Sequence, residues 1–194
     1  MLWIFWLLFA YFLGSLPFGL LIAKISCGID PRNEGSKNTG ATNVARLCGF
    51  KYGIAALILD IAKGFIPVAM ASQYSHNWIF LSLVALAAII GHVFSIFLDM
   101  RGGKAVATSI GAFLAIAPAA TIWAVLFCVI VILLSGYVSM GSLTLAVALP
   151  VLALLTGSFG AVVLGCAITL ILFWTHRENI RRLAAGEEIS WKKK

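Results

Sequence analysis

From Ala105 to Val138 the chain runs 34 residues without a charged side chain. A soluble fold rarely needs so long an apolar run, whereas a bilayer with a hydrocarbon core of ~30 Å takes helices of roughly 20 such residues. As one straight helix the run would reach about 51 Å at 1.5 Å per residue. That is too long for one tilted span, and Pro118 predicts where it divides in two. A second uncharged stretch covers residues 1–23 and lacks both the basic leader and the small-residue cleavage site of a signal peptide. It reads as a retained first span. Composition agrees: 62% of the 194 residues are hydrophobic and 11% charged, where soluble domains carry about a quarter charged.

The same length rule, applied along the chain, predicts an all-α integral membrane protein. It is a single domain over residues 1–194 with seven spans, some of them short: 2–23, 53–72, 78–98, 105–118, 121–138, 143–156 and 159–175. The last two come from dividing the run 143–175 at the turn residues around Gly157. Cytoplasmic loops are enriched in Lys and Arg. Threading seven spans puts the basic residues of loops 24–52 and 99–104 and of the tail 176–194 on one face, with the short loop 139–142; only Lys63 falls inside a span. The amino terminus is then expected outside and the carboxyl terminus in the cytoplasm. This topology, with contact to anionic lipid, accounts for the net charge of +7, so nucleic acid is not an expected partner. The four cysteines have no metal-ligand spacing. Four free thiols, no metal and no cofactor are expected.

Segments rich in glycine and short polar side chains all fall on the predicted cytoplasmic face, which points to a site there on loops held by a rigid scaffold. In "RGGKAVATS", Gly102 and Gly103 precede Lys104 where a span should begin. Backbone N–H groups, the positive helix end and an ammonium could then meet an anion. The Walker P-loop spacing is absent, and a glycine turn capped by a snorkelling lysine is the plainer alternative. "GSKNTGATNVAR", residues 35–46, extends the same chemistry. Gly35 and Gly40 allow close backbone approach. Ser36, Asn38, Thr39, Thr42 and Asn43 offer neutral hydrogen bonds, and Arg46 is a bidentate phosphate fork; a run of Asx and Ser/Thr turns leading into a helix is the alternative. "HRENIRRLAAGEE" reads as an interfacial helix, with His176 at its start and Asn179 one turn on along the same side.

His92 reads as a packed polar residue. Asp60 and Lys63 read as a structural ion pair near the site, because charges at membrane depth cost about 2.5–3.5 kcal/mol each. Pro17 is expected to kink the first span, with nearby groups meeting the freed carbonyl.

The chain has neither the repeated aspartates of metal-dependent alcohol phosphotransferases nor the H-x-x-x-x-D pair of many glycerolipid acyltransferases. What remains suits the positioning of two phosphorylated substrates, one of them already activated. With "GSLPFG", "GSKNTGATNVAR", "LDIAKG", "RGGKAVAT", "SMGS" and "HRENIRRLAAGEE" in this order, nearly the whole chain resembles the bacterial acyl-phosphate:glycerol-3-phosphate acyltransferase family of the inner membrane. Lys37 stands where that family commonly has glycine. The resemblance implies an enzyme that moves a fatty acyl group from acyl phosphate to the first hydroxyl of sn-glycerol 3-phosphate, leaving inorganic phosphate.

It further implies catalytic parts for Ser36, Arg46, Lys104, His176 and Asn179. Substrate contacts are implied for Asn38, Gly40, Thr42, Asn43, Gly102, Gly103 and Ser142, and a structural part for Glu187, with Glu188 as the alternative. His176 and an oxygen of the departing phosphate are the two candidate proton acceptors. A monomer surrounded by membrane lipid is expected. The alternative function is a transporter for a phosphate ester or other anion; the one-sided polar groups and the lack of duplicated halves argue against it.

Overall fold

The computed structural model describes residues 2–192, and every regular element in them is helical. In chain order these are α1 (Leu2–Ser15), α2 (Phe18–Cys27), α3 (Ala41–Cys48), α4 (Phe50–Tyr74), α5 (Trp78–Val93), α6 (Val106–Ile116), α7 (Pro118–Ser135), α8 (Val138–Leu155), α9 (Val162–Thr175) and α10 (Arg177–Ala184). Short 3-10 turns occupy Ile96–Leu98 and Phe159–Ala161. Large apolar side chains such as Ile4, Ile79, Leu134 and Val163 are exposed, as lipid-facing surfaces require and water-facing ones avoid.

Five helical segments are long and apolar enough to cross a membrane: Leu2–Cys27, Phe50–Tyr74, Trp78–Leu98, Pro118–Ser135 and Val138–Leu155. A sixth is counted if Phe159–Thr175 and Arg177–Ala184, bent by 61°, form one broken span. The remaining expected span, 105–118, is α6 with only 11 residues, about 16 Å at 1.5 Å per residue. The expected loop 139–142 is also replaced by helix, since Ser139–Ser142 lie in the first turns of α8. Gly141 is not a turn residue there. A Cβ on it would run into the Ile132 side chain and the Cys128 carbonyl, so it lets α7 and α8 approach closely, as small residues do between membrane helices.

The chain forms two compact units, Met1–Ala115 and Ile116–Lys194. In the first, α1 packs on α5 and α4 packs on both. The apolar run of the first span breaks at Leu16 and Pro17, between α1 and α2. The Leu13 carbonyl, which Pro17 leaves without its helical donor, is met by the Leu16 N–H at 3.2 Å, while the Leu16 carbonyl at the break accepts from the Phe18 N–H at 3.1 Å and from Lys63 Nζ, the lysine left over by the charge count, at 2.8 Å. Ser95 Oγ donates to the Ser15 carbonyl at 2.6 Å and Tyr11 Oη to the Phe94 carbonyl at 2.9 Å, which pins the break to the end of α5. In the second unit, α8 packs against both α7 and α9. Pro118 opens α7 at a position that tolerates the missing N–H.

Cys27 and Cys48 were expected as separate thiols, yet they are joined by a disulfide with a Cα–Cα distance of 5.9 Å. They end α2 and α3, so the fold closes residues 28–40 into a loop between them, a proximity that a spacing of 21 residues does not disclose. Cys128 and Cys166 remain thiols.

Candidate active site

In the first unit, the loop before α3 is organised by Asn43, which is 1% exposed. Its Nδ2 donates toward the carbonyls of Pro31, Glu34 and Asn38 at 2.9, 3.0 and 3.0 Å, and its Oδ1 accepts from the Ser36 N–H at 2.9 Å. The amide is fully engaged by the loop, and Asn43 thereby frames Ser36. Asn38 likewise turns its Oδ1 on the Gly40 N–H at 2.8 Å. A Cβ on Gly35, whose φ is +60°, would collide with Asn43 Oδ1. Lys37 holds φ +54°, a left-handed backbone that glycine adopts without the steric penalty of an L side chain. Thr39 is buried, Ser36 half-buried, and Thr42 and Arg46 are exposed on α3. At the loop's start, hydrogen bonds from Arg32 at 3.0 and 2.7 Å hold the Asp30 carboxyl well below its ordinary value.

The glycine-lysine turn differs from expectation in one respect. Its two glycine amides are not turned outward: Gly102 N–H donates to the Val93 carbonyl at 2.9 Å and Gly103 N–H to the His92 carbonyl at 3.1 Å. An anion there would instead meet Lys104 and the first-turn amides of α6, which no helix satisfies internally. Left-handed φ values at Asp99, Met100 and Ala105 bring the chain through this turn and into α6, the kind of local strain that proteins keep at functional sites.

Beneath the turn lies a buried polar cluster. Lys63 Nζ forms a buried ion pair with Asp60 Oδ1 at 2.8 Å. His92 Nδ1 is 2.9 Å from Thr108 Oγ1 and 3.9 Å from Asp60 Oδ1. The cluster borders a cavity of about 10 Å³, the size of about one water molecule. Thr39 and Gly103 line the same cavity.

In the second unit, Ser139 Oγ and Asn179 Nδ2 both donate to Glu188 Oε1, at 2.8 and 2.6 Å, and Arg182 Nε donates to Oε2 at 2.8 Å. Burial pushes the Glu188 carboxyl up, but these three hydrogen bonds and the Arg182 charge outweigh it and hold the group below its ordinary value. The anchored glutamate is therefore Glu188; Glu187 is exposed. Ser139 and Arg182 were not singled out from sequence, although Ser139 belongs to the quoted "SMGS". The chain beyond continues onto the α7–α8 turn, where the Gly136 carbonyl accepts from Ser190 Oγ at 3.0 Å and from the Trp191 N–H at 3.1 Å.

Ser142 is buried and bonds back to the Val138 carbonyl at 3.0 Å. His176, at the bend between α9 and α10, is 3% exposed with Nδ1 2.8 Å from the Leu172 carbonyl. A carbonyl can only accept, so Nδ1 carries the proton and Nε2 is the basic nitrogen.

A family model described as glycerol-3-phosphate acyltransferase matches residues 4–186. A glycerol-3-phosphate acyltransferase of Maridesulfovibrio salexigens is 74% identical over 194 residues, covering all of both chains. Another, of Desulfovibrio desulfuricans, is 54% identical over 193 residues, covering 100% of this chain and 86% of the relative. Among solved structures, the glycerol 3-phosphate form of PlsY (YgiH), described as an integral membrane glycerol 3-phosphate acyltransferase, superposes with a TM-score of 0.93 at 36% identity, over 98% of this chain and 96% of that one. Its lysphosphatidic acid form gives 0.91 at 35% identity, over 98% and 95%. Since the family match runs through both glycine-rich segments and on to the tail, the chain belongs to the glycerol-3-phosphate acyltransferase family.

Proposed function

We propose that this protein transfers a fatty acyl group from an acyl phosphate to the first hydroxyl of sn-glycerol 3-phosphate. The observation that carries the reading is the near-complete match to a structure described with glycerol 3-phosphate, a ligand whose phosphate and hydroxyls suit the Lys104 turn and the Ser36–Arg46 loop. The hydroxyl oxygen attacks the acyl carbonyl carbon. An ester C–O bond forms, the C–O bond to phosphate breaks, and phosphate leaves with the electron pair. The proton passes to His176 Nε2 or to an oxygen of the departing phosphate.

Lys104 and Arg46 hold phosphate charge, and Ser36 stands on a loop framed by Asn43. Such catalysis rests on positioning and on stabilising developing charge. Because the mixed anhydride is already activated, the reaction uses no metal or cofactor. The enzyme works as a monomer in the inner membrane, amino terminus outside and active site facing the cytoplasm, a reading supported by the one-sided distribution of Lys and Arg. The family match lends no support to transport.

The test is phosphate release by the purified protein given palmitoyl phosphate with and without glycerol 3-phosphate, and palmitoyl-CoA in parallel. Release that needs both substrates and yields lysophosphatidic acid is expected. Activity with the CoA donor alone would overturn the donor, and no turnover by folded protein would overturn the reaction.

A further inference from the structure

We infer that buried His92 is a positioning residue for the phosphate-binding turn, clasping Gly103 on one side and Thr108 on the other so that Lys104 between them is held in place. The inference rests on the proposed acyltransferase reading and assigns a part in it to a side chain that sequence alone marks only as packing.

His92 meets the turn twice. Its carbonyl accepts the Gly103 N–H at 3.1 Å, and its ring stands where a side chain at 103 would go, since a Cβ on Gly103 would fall against His92 Nε2. The other ring nitrogen, Nδ1, pairs with Thr108 Oγ1 at 2.9 Å. Residues 103 and 108 bracket Lys104 and the left-handed Ala105, so one residue, by its carbonyl and ring packing at 103 and its ring hydrogen bond at 108, ties together both ends of the segment that presents the ammonium.

The ring is supported from behind. Asp60 Oδ1 lies 3.9 Å from Nδ1, and Lys63 anchors Asp60 while donating to the Leu16 carbonyl. Thr39, in the other anion-binding segment, lines the same small cavity. Mutual neutralisation of Asp60 and Lys63 would require neither a histidine nor contact with the turn. Ionisable groups at membrane depth are retained where function needs them, and fixing a binding group through partners that never touch the ligand is how supporting shells act.

The experiment measures KM for glycerol 3-phosphate, KM for palmitoyl phosphate, kcat and the melting temperature in detergent for His92→Ala, His92→Gln and Thr108→Val. The expected result for His92→Ala is a rise of about tenfold in KM for glycerol 3-phosphate, with a much smaller change in KM for the acyl donor, as for a displaced binding group. His92→Gln, which restores a hydrogen-bonding group toward Thr108, should recover most of that loss. Thr108→Val should show a weaker form of the same selective effect. A folded His92→Ala protein with unchanged KM overturns the inference. Equal losses for both substrates that follow the melting temperature and are not rescued by Gln also overturn it, since they mark packing alone. If His92→Ala does not fold, unchanged KM values in the other two variants overturn it equally. No turnover by wild-type protein would remove the acyltransferase reading and this inference with it.

Discussion

Lys63 reaches across 2.8 Å to the carbonyl oxygen of Leu16, 47 positions earlier, and holds Asp60 with the same ammonium. One buried cation thus supports a helix break and a carboxylate. Lys63→Met should therefore cost about 3–5 kcal/mol, because it strands the Asp60 charge. The double variant Asp60→Asn with Lys63→Met should be more stable than the single one. Unfolding in detergent tests the order; a double variant less stable than Lys63→Met would refute the ion-pair account.

Glu188 makes the tail sensitive to acid. Its carboxyl is held below the ordinary value of 4.5 by Asn179, Ser139 and Arg182. The charged form is thus favoured by folding: the stabilisation is complete above about 4.5, and it is lost as pH falls through the lower folded-state value. A nitroxide on Lys192→Cys, in a protein otherwise free of reactive thiols, should gain mobility only under acid. With Glu188→Gln added it should already be mobile at neutral pH. Identical spectra would remove Glu188 as the tail's anchor.

Kinetics separate charge holding from proton transfer. Lys104→Ala should lower kcat/KM for glycerol 3-phosphate by about 10- to 100-fold, the worth of a charge-assisted hydrogen bond. His176→Ala should lower kcat by about 10²–10⁴-fold if Nε2 takes the proton. A loss of only a few-fold would assign that proton to the departing phosphate.

Thiol counting checks the Cys27–Cys48 bridge. Protein purified in air and then denatured should expose two alkylatable thiols, Cys128 and Cys166, and four after reduction. Trapping thiols in living cells adds a topological result, because disulfides are rare in reducing cytoplasm. Four thiols in cells and two after purification are expected for a loop on the cytoplasmic face. A bridge already present in cells would contradict the orientation proposed above.

The sequence discloses most where covalent geometry acts locally. Pro118 and Gly157 mark real helix ends, and Pro17 marks a real break. It discloses less where tertiary contact decides. Gly141 looks like a turn residue until α7 lies against it. Glu188 cannot be told from Glu187 without Ser139, 49 residues away, and the part of Asn43 in framing the loop shows only when three carbonyls converge on it. The two glycine amides of the turn were offered to phosphate from sequence; only the fold shows that the end of α5 uses them. Apolar length alone also offered residues 105–118 as a full span, where the helix itself has only 11 residues.

That shortness has a physical consequence for the backbone around it. A helix of about 16 Å covers only about half of a hydrocarbon layer of ~30 Å, so non-helical chain at one of its ends falls at membrane depth, which is tolerated only where protein covers it. The fold supplies that cover: no residue of α6 is exposed, and Gly64 and Gly111 let it lie directly against α4. The turn that carries Lys104 can therefore be irregular and polar without presenting bare amides to lipid, and the protein around α6 stands in for the solvent that such a turn would otherwise need.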